Sequence, residues 1–472
     1  MSNTTTISFP CEVFPKEARI QRLLGLYPQR QEGLFMQRLK LPGGRTTTAQ
    51  WRVAAQLVDR FAPDWPLHVT TRQDIELHGL APADIPEVQR GLAEAGVTTT
   101  GAGGDSLRNI TVCPGSGLCP GSADVSPLAE AIRKSAESWP WVRTLPRKFK
   151  ISLSSCGQAC ARPWINDIGL ISQPDGAFRA VVGGSLGAKP GTGLLLEERL
   201  EAAQVVPFVI AALRLFNKEG DRANRTRARL RHVRERLGDD LFRRRLLDLF
   251  AEELRKPGWP KLETPPASLR KRRVCRLHLP LGDITAAQAL ELADAADRAK
   301  AELRIGLEHD VHVYSVSELH LSPELELLAK GPRVVACPGA ASCSRGIAHA
   351  RVAGGAIRGA LHKGSPVGVA ISGCPNNCAH GAVAEVGLVG RIKTVGETRT
   401  ECYRLFAGGG LGKTPALAQE LHEAVPATRV DGVVKELVRR YESAALSEES
   451  FAQFVEREKE ELSQAIAAAV GE

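Results

Sequence analysis

Eight of the eleven cysteines fall into two sets of one design. Cys113 and Cys119 in "VCPGSGLC" are followed by Cys156 and Cys160 in "SSCGQAC", and Cys337 and Cys343 in "ACPGAASC" by Cys374 and Cys378 in "SGCPNNC". Each set is a C-x5-C loop and a C-x3-C loop. Two such loops from separate segments can bring four thiolates onto one iron–sulfur cube. Zinc favours the tighter C-x2-C and C-x4-C pairs and fits less well. Neither set has the closely spaced run of a ferredoxin. In a reducing compartment such clusters indicate metal before disulfides.

Cationic groups accompany one set. Lys148 and Lys150, in "PRKFKISLSSC", are two apart on an expected strand and so share a face. The same offsets before Cys374 hold Pro366 and Gly368. Further basic residues crowd residues 221–245, "DRANRTRARLRHVRERLGDDLFRRR", in a chain of net charge +9. Nucleic acid is the first expectation for such a run. A polyanionic cofactor or an acidic redox protein suits it equally.

The elements that must position these groups also occur twice. Cys337 follows Cys113 by 224 positions, Cys374 follows Cys156 by 218, and "FAGGGLGKT" at Gly408 follows "VVGGSLGAK" at Gly183 by 225. "RLKLPGG" from Arg38 is answered by "RLHLPLG" from Arg276. Unrelated landmarks keeping one register indicate an internal duplication, at a period too long for a solenoid. Each half reads as a strand, a helix ("TTAQWRVAAQLVDRFA", "TAAQALELADAADRA"), another strand, a cysteine loop opening a helix, and a strand ending at the C-x3-C. The expected fold class is α+β, with two pseudo-twofold-related halves.

At this point the residues carry a family resemblance. "VVACPGAASCSRGIAHAR" followed by "VAISGCPNNCAHGAVAEVGLVG", with "RLKLPGGRTTTAQW", "HVTTRQDIELHG", "GGDSLRNITVC" and "LPRKFKISL", resembles the sulfite and nitrite reductase hemoprotein family. The resemblance implies sirohaem coupled to a [4Fe–4S] cluster, and in each half a ferredoxin-like half-domain followed by a cluster- and sirohaem-binding α/β domain. The expected boundaries are 1–100 and 101–245 for the first pair, a Pro- and charge-rich linker at 246–272, then 273–330 and 331–472. The stretch from Thr414 is expected to form two or three helices.

The resemblance also implies roles. Arg38, Arg108, Lys148 and Lys150 match the family's clamp for a small oxyanion, sulfite or nitrite. Guanidinium forks suit its oxygens, and ammonium groups add charge and protons. Arg72, Arg222, Arg225, Arg229 and Arg231 match positions that hold sirohaem, whose carboxylates need cationic partners. That explains the basic run without nucleic acid. Cys337, Cys343, Cys374 and Cys378 are expected to hold the cluster, with Cys378 shared with the sirohaem iron. Single-chain members usually lack cluster cysteines in the first half. Here Cys113, Cys119, Cys156 and Cys160 are all present and could hold a second [4Fe–4S] cluster.

The expected activity is multi-electron reduction of sulfite to sulfide or nitrite to ammonia. A precorrin-3B synthase-like enzyme on the same scaffold, and a non-catalytic iron–sulfur electron carrier or nucleic-acid-binding protein using the basic run, are the alternatives. The two GGxxG segments read as tight turns beside the cofactor rather than a dinucleotide fingerprint. Electrons are therefore expected from ferredoxin or a separate reductase subunit. No apolar stretch approaches the ~20 residues of a membrane span, and the N-terminus lacks a secretory pattern. A cytoplasmic protein is expected.

Overall fold

The computed structural model describes residues 15–395 and 398–471; Cys11 lies outside them. The two "T-x-x-Q" segments start helices for the same reason. Thr47 accepts from the Gln50 amide while the Gln50 side chain accepts from the Thr47 amide, and Thr285 and Gln288 repeat the exchange. Such reciprocal caps satisfy amides that a helix start leaves free. The capped helices, Thr48–Phe61 and Ala286–Arg298, pack on each other. Around them the two ferredoxin-like halves share one core, in which Trp51, Leu77, Leu292 and Val313 are buried.

The halves also exchange strands. Arg45–Thr46 of the first repeat pairs with Glu302–Ile305 of the second, and Asp283–Ile284 of the second pairs with Leu67–Val69 of the first. Each sheet is therefore completed by the other repeat.

Two further five-stranded sheets carry the cysteines and have the same topology. In the first, Thr111–Val112, Ile151–Ser154 and Ile168–Ser172 run parallel, then Phe178–Val182 and Leu194–Leu200 return antiparallel. In the second, Val334–Ala336, Val369–Ser372 and Val386–Val395 run parallel, then Thr398–Ala407 and Gln419–Pro426 return antiparallel. The middle parallel strands "ISLS" and "VAIS" are buried throughout, as strands covered on both faces are, and their last serines, Ser154 and Ser372, accept hydrogen bonds from loop amides.

Two sequence expectations require correction. The segment from 246 does not begin as a linker, because the helix Asp239–Leu254 runs through it with Phe242, Leu246 and Phe250 buried on one face. Residues 265–268 then lie against the first cysteine loop: the Asp124 amide donates to the Pro265 carbonyl, and the amides of Ala267 and Ser268 donate to the carbonyls of Ser122 and Gly117. The stretch from Thr414 does not open as a helix either. Gln419–Pro426 is a strand hydrogen-bonded to Thr398–Ala407, and three helices follow, Val430–Ala444, Phe451–Arg457 and Lys459–Val470. Among the described residues no helix is long and apolar enough to cross a membrane.

Candidate active site

Three cysteines of each set are held by backbone hydrogen bonds, and the bonds match between the repeats. The amides of Cys113 and Cys337 donate to Leu153 and Ile371, and those of Cys119 and Cys343 to Gly115 and Gly339. The carbonyls of Cys156 and Cys374 accept from Ala159 and Asn377, both left-handed at φ 56°. Ser154 and Ser372 hydroxyls accept from the amides of Ala161 and Ala379 at 3.2 and 3.0 Å, closing each C-x3-C loop. Within the first set the neighbouring Cys160 thiol lowers the Cys113 thiol to about 6, against its burial. Within the second, the Gly373 amide donates to the Cys337 sulfur at 3.2 Å. Burial pushes the Cys337, Cys343 and Cys374 thiols up, and the charge of Cys378 adds to it in all three. Among the described residues no three His, Cys, Asp or Glu side chains are grouped to hold a single metal ion. A cube instead spreads four thiolates over four irons, and each cysteine set offers four.

The second set meets cations of the first repeat. The Thr71 hydroxyl donates to the Cys378 carbonyl at 3.1 Å, which brings the segment bearing Arg72 onto the C-x3-C loop. Lys148 and Lys150 extend from the chain just before the strand Ile151–Ser154, while Phe149 between them is buried in the core. Burial pushes the Lys148 ammonium down to about 7; the Cys378 charge opposes this, and Arg229 and Arg108 reinforce it. Burial lowers Lys150 well below the usual lysine range, and Arg72, Lys148 and Arg229 push the same way. Burial also lowers His380, followed by Arg162, Lys150 and Arg72.

The arginines differ in what already holds them. Arg38 forks onto Glu76 at 2.6 and 2.8 Å and lies over the Tyr27 ring. Burial works against its charge, but Glu76 more than compensates and holds it above the usual arginine range. Arg108 donates to the carbonyls of Ala102 and Gly104, sharing Ala102 with Arg38. Arg72 donates to the Asn166 side chain and the Asn109 carbonyl, and its buried Nε has no partner. Burial lowers both Arg72 and Arg108. Arg229 is buried on Asp167, at 2.6 and 3.2 Å. That same carboxylate accepts from the Lys150 amide at 2.7 Å.

The structure thus brings together Arg38, Arg108, Lys148, Lys150, Arg72, Arg229 and Cys378. Arg231 lies beside them on Ser185, at 2.9 Å. Arg225 pairs with Asp105, a partner it shares with Arg147. Arg222 is turned away, donating to the Thr144 carbonyl and Asn217. Lys148, Lys150, Arg72 and Arg108 have no carboxylate hydrogen-bonded to them among the described residues, a surplus of partly buried cations. Uncompensated charges are costly to bury, so the donor set fits a polyanionic tetrapyrrole and a small anion.

Several residues here were not anticipated from the sequence. Tyr27 accepts from the Gly104 amide at 2.9 Å beside Arg38 and Arg108. Arg30 donates to Gly346, its amide to Ser342, and the Gln31 side chain to Ala341, so this segment clasps the Cys337–Cys343 loop. Glu76, Asn109 and Asp167 position the arginines. Single polar residues carry no spacing signal, whether on strands as Tyr27 and Glu76 or in loops as Asn109 and Asp167, so nothing in the sequence marks them.

Comparison with known proteins finds matches over most of the chain. The family model described as the nitrite and sulphite reductase 4Fe-4S domain matches residues 103–254 and again 332–459, and the nitrite/sulfite reductase ferredoxin-like half domain matches 27–95. The assimilatory ferredoxin-dependent nitrite reductase of Haloferax mediterranei is 30% identical over 92% of this chain and 84% of its own. The chloroplastic ferredoxin–nitrite reductase of Zea mays is 29% identical over 88% of this chain and 80% of its own. The solved structure of the Mycobacterium tuberculosis NirA protein has the same fold, at TM-score 0.81 and 23% identity over 95% of this chain and 92% of that one.

Proposed function

The chain belongs to the nitrite and sulphite reductase family, and on that premise we propose that it reduces nitrite to ammonia at the cleft between Lys148 and Cys378, with electrons from a ferredoxin. It is a sulfite/nitrite reductase using sirohaem and a [4Fe–4S] cluster. The choice of nitrite, and of ferredoxin as donor, follows the relatives named ferredoxin-dependent nitrite reductase. The observation that carries the reading is the placement of two first-repeat lysines at a second-repeat cysteine.

Cys337, Cys343, Cys374 and Cys378 would hold the cluster, with the Cys378 thiolate shared with the sirohaem iron. Arg72, Arg229 and Arg231 would hold sirohaem carboxylates. When bound, the pair supplies electrons and an iron that coordinates the anion.

The protein's own groups then divide the remaining work. Arg108 rests on carbonyls alone, so its charge is available to the anion oxygens. Arg38 is occupied by Glu76 and acts mainly by fixing the Ala102 carbonyl that it shares with Arg108. Lys148 and Lys150 hold the oxygens by ammonium hydrogen bonds and donate protons as each oxygen leaves as water. A lysine lowered to about 7 gives up its proton near neutral pH far more readily than an ordinary lysine. Thr71 fixes the Cys378 carbonyl and keeps the loop against this cleft.

The test is steady-state turnover of nitrite and sulfite with chemically reduced viologen, then with reduced ferredoxin. Nitrite turnover well above sulfite turnover is expected, and a preference for sulfite would overturn the choice of substrate. Loss of turnover in Lys150→Met, with the sirohaem absorption retained, is expected of a proton-donating clamp.

A further inference from the structure

We infer that Cys113, Cys119, Cys156 and Cys160 hold a second [4Fe–4S] cluster that carries no tetrapyrrole. The inference deepens the proposed function, since it takes the second cysteine set to be a cluster site.

The first part rests on the matched cages. Four backbone hydrogen bonds recur at three cysteines of each set: to Leu153 or Ile371 from the first, to Gly115 or Gly339 and from Ser122 or Gly346 at the second, and from Ala159 or Asn377 at the third. Ala159 keeps the left-handed φ of 56° although it lacks the polar side chain that eases that conformation for Asn377. The Cys119 sulfur packs so closely over Gly115 that a Cβ there would lie 2.2 Å from it. Both loops are clasped from outside in the same way, by residues 29–31 at one set and 265–268 at the other. A cysteine set that had lost its cluster would have no need of this cage.

The second part rests on what faces the cage. Strand register pairs Val69 with Ile75 and Ile305 with Val311, so Thr71 and Arg72 have Leu307 and Glu308 as their mates. Likewise Lys148, Lys150 and Arg108 have Pro366, Gly368 and Pro332 as mates, through the pairing of Cys113 with Leu153 and Cys337 with Ile371. Asp167 has Glu385 as its mate, which receives the Gly368 amide and Arg333. Two arginines, at the place of Arg38 and at the axis, are already paired: Arg276 with Glu308 and Asp310, and Arg162 with Glu308. The cation surplus that suits tetrapyrrole carboxylates at the other cage is absent among these residues.

The experiment uses the full chain purified without oxygen and counts iron, acid-labile sulfide and sirohaem per chain, with electron paramagnetic resonance of the reduced protein. Sulfide for two clusters with one sirohaem, and two interacting reduced-cluster signals, is the expected result. One cluster's sulfide after reconstitution, or zinc in its place, overturns the second cluster; two sirohaems per chain overturn its bare character. In Cys156→Ser the sulfide count should halve while the sirohaem band persists, and an unchanged count overturns the assignment. The wild-type count decides the matter even where that variant fails to fold. Absence of sirohaem and of nitrite turnover would defeat the proposed function while leaving the sulfide count to decide the cluster separately.

Discussion

Arg162 and His380 hold equivalent places in the two repeats, 218 positions apart, and they touch: an Arg162 guanidinium nitrogen lies 2.6 Å from the His380 ring. Equivalent residues of a twofold pair can meet each other only at the axis. Both are left-handed, at φ 58° and 70°, and each lies two residues after the last cysteine of its set. The contact therefore ties the two C-x3-C loops together.

Replacing Arg162 by alanine leaves Glu308 without one partner and His380 without its contact. The loss of a partly buried charged hydrogen bond is worth about 1–3 kcal/mol. A lower urea midpoint at unchanged slope is expected in equilibrium unfolding of the apoprotein. No change in midpoint would show that the axis contact is not stabilising.

Lys148 predicts a pH dependence with a defined sign. Burial lowers its pKa to about 7, so it is charged below that pH and neutral above it. A bound anion favours the charged form, so binding above pH 7 must take up a proton. The KM for nitrite should rise as pH climbs from 7 towards 10.5, the ordinary lysine value. In Lys148→Met the KM should be high throughout and flat over that window.

Arg38 and Arg108 should fail differently. Arg108→Ala removes an anion contact and leaves two carbonyls that water can satisfy, so a rise in KM with normal sirohaem content is expected. Arg38→Ala leaves buried Glu76 without its ion pair, a loss on the order of 3–5 kcal/mol. A fall in thermal midpoint of the purified apoproteins should therefore mark Arg38→Ala and not Arg108→Ala.

Asp167 holds Arg229 and the Lys150 amide at once. Asp167→Asn keeps the shape and removes the charge, leaving Arg229 buried without its counterion. A stability loss of about 3–5 kcal/mol is expected, read by chemical denaturation. Lowered sirohaem retention on gel filtration should accompany it, because Arg229 is no longer fixed.

The sequence disclosed the repeated parts because their signals are periodic or paired. The cysteine spacings, the two "T-x-x-Q" caps and the alternation around Phe149 each follow from local backbone geometry. Gly184 and Gly409 were also legible as tight turns: an added Cβ would lie 2.0 Å from the Trp164 carbonyl and 2.6 Å from that of Ala384. What stayed hidden depends on distant partners. "QELHEAVP" is rich in helix-forming residues, but pairing with Thr398–Ala407 makes it a strand and buries Leu421, Ala424 and Val425. Residues 265–268 read as a linker because proline and charge say nothing of which loop they clasp. Arg222 belongs to the same basic run as Arg229, yet the chain's path sends one to the surface and the other to Asp167.

The exchange of Arg45–Thr46 for Asp283–Ile284 ties the fate of the repeats together. Two separate copies of one polypeptide assembled in this way would be bound to identical residues on both sides, since any mutation would strike twice. Joining them in a single gene removes that bond while the interlocked sheets keep the geometry fixed. Arg72 can then differ from Glu308, and Lys148 from Pro366, without disturbing the frame. Interlocking supplies the fidelity of a homodimer, and covalent fusion supplies the licence for its two faces to specialise.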